Sequence, residues 1–391
     1  MPELLQKLLS MPAGILSLYF LCIALFAFRR PAPLAPCPPR TRFAVLIAAR
    51  NEEAVIGRTV RKLLQCDYPA GLFDVYVLPN GCTDNTAAAA AAAGASILPC
   101  DPSVRSKGAA LHLAVEALKD RPYDAICVFD ADNLVDAAYL RRMNDAFCAG
   151  AQVAKGKCLA SNPTDSWVSG CYALYFGLFN LFYNHARQPL GLSAKLNGTG
   201  FAVSMDLRRR LGGWNTQTIA EDAEFAAICA QAGQRVWWVP GAVSYDEQPL
   251  TLRQSLAQRA RWCSGIMAAA RLHLPALMRR SPREPLCADF VFFLLTPFIQ
   301  GVSLLPLLLR LYTDPTGLLM ALLVGWLGTA ALAALIVRLT SMDRRGMGKA
   351  IVTYGIFMST WAPICLWCLI RPVRVWREMP HGLARNTAAG I

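Results

Sequence analysis

Ala125-Ile126-Cys127-Val128-Phe129-Asp130-Ala131-Asp132 decides how this chain is read. An apolar run enters a carboxylate, and a second carboxylate follows two positions later. A short apolar run of this kind reads as a buried strand of a parallel sheet. Positions i and i+2 of an extended chain point to one side, so Asp130 and Asp132 leave the strand end together. The plan recurs upstream. Phe43–Ala49 runs into Arg50-Asn51-Glu52-Glu53 and a helical stretch to about Gln65. Phe73–Leu78 runs into Pro79-Asn80-Gly81-Cys82-Thr83-Asp84 and the stretch Ala87–Ala93, a helix because alanine is the best helix former. Ile97 belongs to a short third strand, and Lys107–Leu118 reads as helix. This alternation predicts an α/β domain with a mostly parallel, doubly wound sheet. Ligands of such sheets bind beyond the carboxyl ends of the strands, which is where the polar clusters fall.

The rest of the chain is unusually apolar. Its 391 residues include 39 Lys+Arg against 26 Asp+Glu, a formal net charge of +13, with 55% hydrophobic and only 17% charged residues. Soluble domains carry about 25% charge, so disorder, collagen and an ordinary cytosolic enzyme are excluded. Met11–Phe28, Phe290–Leu309, Gly317–Val337 and Ala350–Ile370 are uncharged runs of 18, 20, 21 and 21 residues. A membrane-crossing helix needs about 20. The first run lacks a basic region before it and an A-x-A site after it, which argues against a cleaved signal peptide. The expected organisation is an N-terminal transmembrane helix at 1–30, a cytosolic domain at 31–289, three transmembrane segments at 290–370 and a basic tail at 371–391. Pro31–Pro39 reads as a linker.

Arg29, Arg30, Arg40 and Arg42 after the first run place Met1 outside and the large domain in the cytosol of a bacterial inner (plasma) membrane. The basic loop Arg338–Lys349 agrees. The tail does not: a fourth crossing would carry Arg371, Arg374, Arg377 and Arg385 outside. Pro297 and Pro306 mark the 290–309 run as a kinked or re-entrant piece. Fourteen scattered cysteines are expected as reduced, small hydrophobes. No nucleic-acid-binding pattern occurs, and the basic residues gather at membrane edges, so nucleic acid is not an expected partner.

Further candidates sit along the domain, each with an ordinary alternative. Asp130 and Asp132 suit a hard divalent cation, Mg²⁺ or Mn²⁺, or they are merely a turn and helix cap. Lys107 in Arg105-Ser106-Lys107-Gly108 meets a diphosphate at a helix N-terminus, or is a solvated loop lysine. Asp222 of Glu221-Asp222 is a general base, or an acidic first turn favoured by the helix dipole. Gln258, Arg261 and Trp262 share one face of a helix from about Thr251 to Leu274, offering an amide, a guanidinium and an indole plane. The plain alternative is an amphipathic helix lying on the membrane. Gly170–Tyr183 is an interfacial helix or domain core.

Taken in order, Asp130-Ala131-Asp132, Glu221-Asp222 and Gln258-Arg259-Ala260-Arg261-Trp262 ahead of C-terminal apolar runs resemble the membrane-integrated family 2 glycosyltransferases of GT-A fold, in the branch of cellulose, chitin and hyaluronan synthases. Ala48-Ala49-Arg50-Asn51-Glu52-Glu53 looks like that family's opening turn, which lies against the nucleotide. The resemblance implies a Rossmann-like GT-A domain between membrane helices. It also implies inverting transfer from a nucleotide-sugar, UDP-linked in most members, to an acceptor hydroxyl. Asp130 and Asp132 would hold the diphosphate, with Asp132 on the Mg²⁺ or Mn²⁺, and Asp222 would be the base. Asn51, Glu52, Asn80 and Lys107 would meet the nucleotide-sugar. Gln258, Arg261 and Trp262 would position the acceptor and steady the diphosphate. Asn197-Gly198-Thr199-Gly200 matches the segment lining the acceptor site. Asn80 stands where the family usually has an acid, and its amide both donates and accepts, as uracil requires. Extension of a β-linked glycan is the first expectation, and addition of one sugar to a membrane lipid is the second. The oligomeric state is not readable from the sequence.

Overall fold

The computed structural model describes residues 2–29, 33–101, 104 and 106–374. Arg30, Arg105 and positions 375–391, with most of the expected basic tail, lie outside these. The strands are β1 Phe43–Ala49, β2 Phe73–Pro79, β3 Ser96–Ile97, β4 Ala125–Asp130, β5 Leu134–Val135, β6 Val153–Ala160, β7 Phe201–Ser204 and β8 Val236–Asp246. They form one sheet in the order β3-β2-β1-β4-β7-β6-β8-β5. β1 pairs in parallel with β2 and β4, as do β2 with β3 and β6 with β8. β7 runs antiparallel to β4 and β6, and β5 antiparallel to β8. The sheet is therefore mixed beyond β4. Its cause is the excursion after β6, which leaves and re-enters at the ligand end of the sheet where a helical crossover would return to the far end.

Alternation along β1 shows how both faces are covered. Phe43, Val45 and Ile47 face α2 (Glu53–Leu64), α3 (Thr86–Ala92) and α5 (Tyr139–Cys148). Ala44 and Leu46 face α4 (Lys107–Ala117), α7 (Met205–Arg210), α8 (Glu221–Gln231) and α9 (Leu252–Arg280). Local signals start these helices. Ser106 Oγ accepts from Ala109 N at 3.1 Å, and Thr251 with Gln254 forms a capping box ahead of α9. α6 (Trp167–Leu178), also opened by a capping box, runs on into a π-helical stretch, Phe179–His185.

The segment before β1 is a strap rather than a free linker. Asn144 of α5 accepts from Arg40 N and Thr41 N, both at 3.1 Å, and donates to Cys37 O at 3.1 Å. This docking brings Cys37 to Cys148, and the two form a disulfide. The expectation of reduced cysteines fails for this pair because sequence spacing does not show where a Pro-rich strap lies down. The other twelve described cysteines are free, and most are buried.

Among the described residues, four stretches are long and apolar enough to cross a membrane: Leu4–Phe28, Pro285–Thr313, Pro315–Leu339 and Gly348–Ile370. The first is α1 (Pro2–Ala24) with a 3-10 turn. The second is α10 (Pro285–Val302) and α11 (Leu304–Thr313), and the third is α12 (Pro315–Leu339). The fourth is α13 (Gly348–Ser359) and α14 (Trp361–Ile370). The breaks at Ser303 and Thr360 each fall three residues before a proline, Pro306 and Pro363, where the ring clashes with the preceding turn. Leucines such as Leu18, Leu319 and Leu323 stand exposed on α1 and α12, as lipid-facing residues do.

The fourth stretch differs in where its ends lie. At its start, Gly170 of α6 abuts Ala350 so closely that a side chain there would strike Ala350 Cβ at 2.7 Å. Past its end, Val373 N donates to Ser264 Oγ of α9 at 2.9 Å. Both ends therefore meet the large domain.

A buried ion pair joins this domain to the apolar helices. Arg187, just after the π-helical stretch, donates to Asp289 of α10 through Nε at 3.1 Å and Nη2 at 2.9 Å, with both side chains no more than 2% exposed. Tyr19 of α1 donates its hydroxyl to the same carboxylate at 2.7 Å. Breaking a buried pair by removing one partner costs about 3–5 kcal/mol, because the other charge is stranded. Asp289→Ala is expected to lower the thermal unfolding midpoint in detergent sharply. The volume-matched Arg187→Met/Asp289→Leu double variant is expected to lose less, as differential scanning fluorimetry would show.

Candidate active site

A cavity of about 540 Å³ opens beyond the ends of β1, β4 and β8. Parallel pairing puts Ala48 beside Asp130 and Ala49 beside Pro79, which aligns three polar strand ends on one edge. Of the ten residues singled out from sequence, Glu52, Asn80, Lys107, Asp130, Asp132, Asp222, Gln258, Arg261 and Trp262 line this cavity. Asn51 is not among the lining residues. Its φ is +53°, in the left-handed region that asparagine tolerates, and its Oδ1 accepts from Thr83 N at 2.8 Å. It shapes the turn that presents Glu52.

Lys107 is the first residue of α4, so its ammonium projects from a capped helix start into the cavity. It donates to Asp130 Oδ1 and, at 2.6 Å, to Gly198 O, and it lies 3.6 Å from Glu221 Oε1. Burial works against its charge, but Asp130 and Glu221 more than offset this and hold the ammonium protonated. The solvated-lysine alternative is thereby replaced by a cation tying the end of β4 to the start of α8.

Glu221 and Asp222 open α8, with Glu221 buried and Asp222 half-buried. Burial lifts the Glu221 carboxyl to about 7, against the pull of Lys107. Burial also raises Asp222, opposed by the Ala223 N–H and by Lys107, Lys195 and Arg261. A carboxylate raised by desolvation and still in reach of cations is suited to accept a proton near neutral pH.

Asn80 is 4% exposed and its amide is spoken for inside the protein. Its Oδ1 accepts from Arg50 Nη2 at 3.1 Å, and its Nδ2 donates to Ser106 O at 3.1 Å. Asn80 thus positions Arg50 and the start of α4, and both polar ends of its amide are committed to the chain.

On α9, the alternation of neighbours divides the motif. Arg259 is fully buried, donating to Phe357 O at 3.0 Å and lying over the Phe357 ring, which locks α9 to α13. Gln258, Arg261 and Trp262 turn to the cavity, and Gln258 Oε1 is buried without a partner among the described residues. Trp262 rests edge-on against Tyr172 of α6.

Two residues escaped the sequence reading. Asp246, the last residue of β8, lines the cavity and accepts from Asn133 Nδ2 at 2.7 Å and from the Cys158 thiol at 2.8 Å. Burial raises its carboxyl to about 6. It stands at a strand end as Asp130 does, and the same rule would have found it. Lys195 carries no local signal. It enters the cavity from the loop before β7, with its Nζ 4.3 Å from the centre of the Phe179 ring.

Among the described residues no three His, Cys, Asp or Glu side chains form a metal-ligating group. The all-oxygen set of Asp130 and Asp132 nevertheless fits a hard cation that takes its remaining ligands from a diphosphate and water.

Comparison with known proteins agrees with this geometry. The model of the family described as "Glycosyltransferase like family 2" matches residues 38–265, more than half of the chain. The chain is 27% identical to "Probable glycosyltransferase YdaM" of Bacillus subtilis, over 66% of this chain and 63% of that protein. It is 29% identical to "Beta-monoglucosyldiacylglycerol synthase" of Synechocystis sp., over 58% of this chain and 48% of that protein. It therefore spans about half to two-thirds of the length of these relatives. Among solved structures, the mannosyltransferase PcManGT from Pyrobaculum calidifontis, in complex with GDP-Man and Mn²⁺, superposes with a TM-score of 0.64 at 20% identity, covering 92% of this chain and 99% of that one. The shared fold is the Rossmann-like GT-A fold, here flanked by apolar helices, and the chain belongs to the glycosyltransferase-like family 2.

Proposed function

We propose that this chain transfers a sugar, with inversion, from a nucleoside-diphosphate sugar to a hydroxyl of a lipid at the membrane. The observation that carries this reading is the make-up of the cavity wall. Asp130, Asp132, Lys107 and Asp222 line it, and so do Phe293 of α10 and Trp361 of α14, which belong to the apolar helices. A hydrophilic donor and an apolar acceptor can thus meet in one space. Extension of a glycan is the second reading, supported by the indole plane of Trp262, on which a sugar ring can stack.

In the proposed reaction the acceptor hydroxyl oxygen attacks the anomeric carbon while its proton passes to Asp222. The bond from that carbon to the diphosphate breaks, and the electron pair leaves on the nucleoside diphosphate. Arg261 steadies the leaving charge, and Lys107 fixes the carboxylates that face it. Asp132, with Asp130 beside it, would hold Mg²⁺ or Mn²⁺, which supplies neutralisation of the diphosphate charge when bound. Attack and departure on opposite faces invert the sugar without a covalent enzyme intermediate.

The two ends of Gly348–Ile370, both against the large domain, support a reading of sidedness. We propose that α10–α11 and α12 cross and return, whereas α13–α14 stays on the face of the catalytic domain. Arg29, Arg338, Arg344, Arg345, Arg371 and Arg374 then share one side, which the positive-inside rule makes cytosolic. The conflict raised by four crossings disappears with three.

Asp222→Asn is expected to lower transfer by about a hundredfold or more, the usual range for a general base. Binding of the nucleotide, followed by calorimetry with UDP and GDP, should stay nearly unchanged; unaltered turnover would rule out the assignment. Lys107→Met removes the cation that opposes protonation of Glu221 and Asp222. The acid limb of its rate–pH profile is therefore expected to move to higher pH, because the base then stays protonated further up the scale. Full transfer in excess EDTA would refute a divalent ion at Asp132. A fluorescent protein fused after Ile391 should light up and a phosphatase fused there should stay silent, and the reverse pattern would restore a fourth crossing.

A further inference from the structure

The cavity wall carries two cations, Lys195 and Arg374, that a neutral acceptor would not need. Lys195 has no carboxylate within ion-pair distance among the described residues; its Nζ sits instead against the rings of Phe179, Phe293 and Tyr175 at 4.3, 5.4 and 6.0 Å. Burial lowers its pKa to about 8, with Asp222 the one acid in range that opposes this. A partly buried ammonium packed on ring faces, with only the Asp222 charge in range to oppose the burial, is under-compensated, and an arriving anion would restore what it has lost. Arg374 lines the same cavity, and Trp361, stacked on Tyr175, has a buried indole N–H without a partner among the described residues. A buried donor left unmatched inside a ligand cavity calls for an acceptor oxygen.

Placement narrows the anion further. Phe179 begins the π-helical stretch, while Phe293 and Trp361 come from apolar helices, so the wall around Lys195 faces the lipid side of the domain. Lys195 is also close enough to Asp222 to influence it, which sets the anion near the hydroxyl that the base deprotonates.

Resting on the transferase reading above, we propose that the acceptor is an anionic lipid whose head group carries a phosphate ester beside the accepting hydroxyl, with Lys195 as its recognition residue and Arg374 and Trp361 as supporting contacts. The phosphate chemistry is shared by lipid head groups and soluble phosphate esters, and the membrane-helix wall commits the source to the lipid. Lys195 contacts the acceptor and leaves the donor half of the site untouched.

The test uses the full chain in detergent with a panel of UDP- and GDP-sugars. Acceptors are mixed micelles of phosphatidylcholine with phosphatidylglycerol, phosphatidylcholine with diacylglycerol, or soluble glycerol 3-phosphate. Two readouts are followed: release of nucleoside diphosphate without acceptor, and label transferred to acceptor. The expected result is transfer to phosphatidylglycerol above the other two arms. Lys195→Met should raise the acceptor KM about tenfold or more, the scale of one lost charge-assisted contact, and Lys195→Arg should recover part of it. Binding of UDP or GDP, read by calorimetry, should remain in both variants, which a merely structural lysine would not guarantee. Equal or greater transfer to diacylglycerol, or an unchanged acceptor KM in Lys195→Met, overturns the proposal. Transfer to glycerol 3-phosphate at the lipid rate overturns the lipid source. Absence of nucleoside diphosphate release from the wild-type protein under every condition overturns the transferase reading itself.

Discussion

One ammonium organises the polar half of this protein. Lys107 is held by Asp130, Gly198 and Glu221, and these groups come from the end of β4, the loop before β7 and the start of α8. Three segments distant in sequence thereby converge on a single charge. The two carboxylates tolerate one another because the cation lies between them, and the lysine tolerates burial because the carboxylates surround it. Asp222, the next residue after Glu221, inherits its place from the same knot. The carboxylates at the end of β4 and at the start of α8 are thus set by one structural event.

The membrane half depends on a second buried charge. Asp289 lies in the first turns of an apolar helix, where an unpaired carboxylate would be costly, and it is satisfied by Arg187 and Tyr19 together. One carboxylate therefore fastens α1, the segment after α6 and α10. The catalytic domain is seated on its membrane helices by specific polar contacts as well as by greasy surface.

Much of this was readable in the residues, for identifiable reasons. Strands β1, β2 and β4 are short, apolar and end in polar clusters, so both their existence and their shared edge follow from pattern alone. Gln258, Arg261 and Trp262 could be placed on one face because a 29-residue helix with a clear cap keeps its period. What escaped was whatever depends on return paths. The antiparallel β7 follows from where the chain re-enters the sheet, and no local signal records that. Asn80 looked available because its hydrogen-bond partners, Arg50 and Ser106, are loop residues whose positions emerge only on folding. Lys195 resembled any loop lysine until the rings of three separate elements closed around it. The Cys37–Cys148 pair is the same case, created by a strap whose docking rests on Asn144.

The π-helical stretch Phe179–His185 has a consequence for how this scaffold can diversify. A π-turn holds more residues than the 3.6 of an α-turn, so deleting a single residue there would let the helix relax to the ordinary form. The helix beyond would keep its phase, so the side chains inside the stretch are the ones that would change direction. Phe179, which touches Lys195, and Arg187, which holds Asp289, lie at opposite ends of that stretch. Gain or loss of one residue would re-aim the aromatic wall of the cavity relative to its anchor in the membrane while leaving Lys107, Asp130 and Asp222 where they are. The aromatic side of the cavity can thus vary separately from the carboxylates and the lysine that face it.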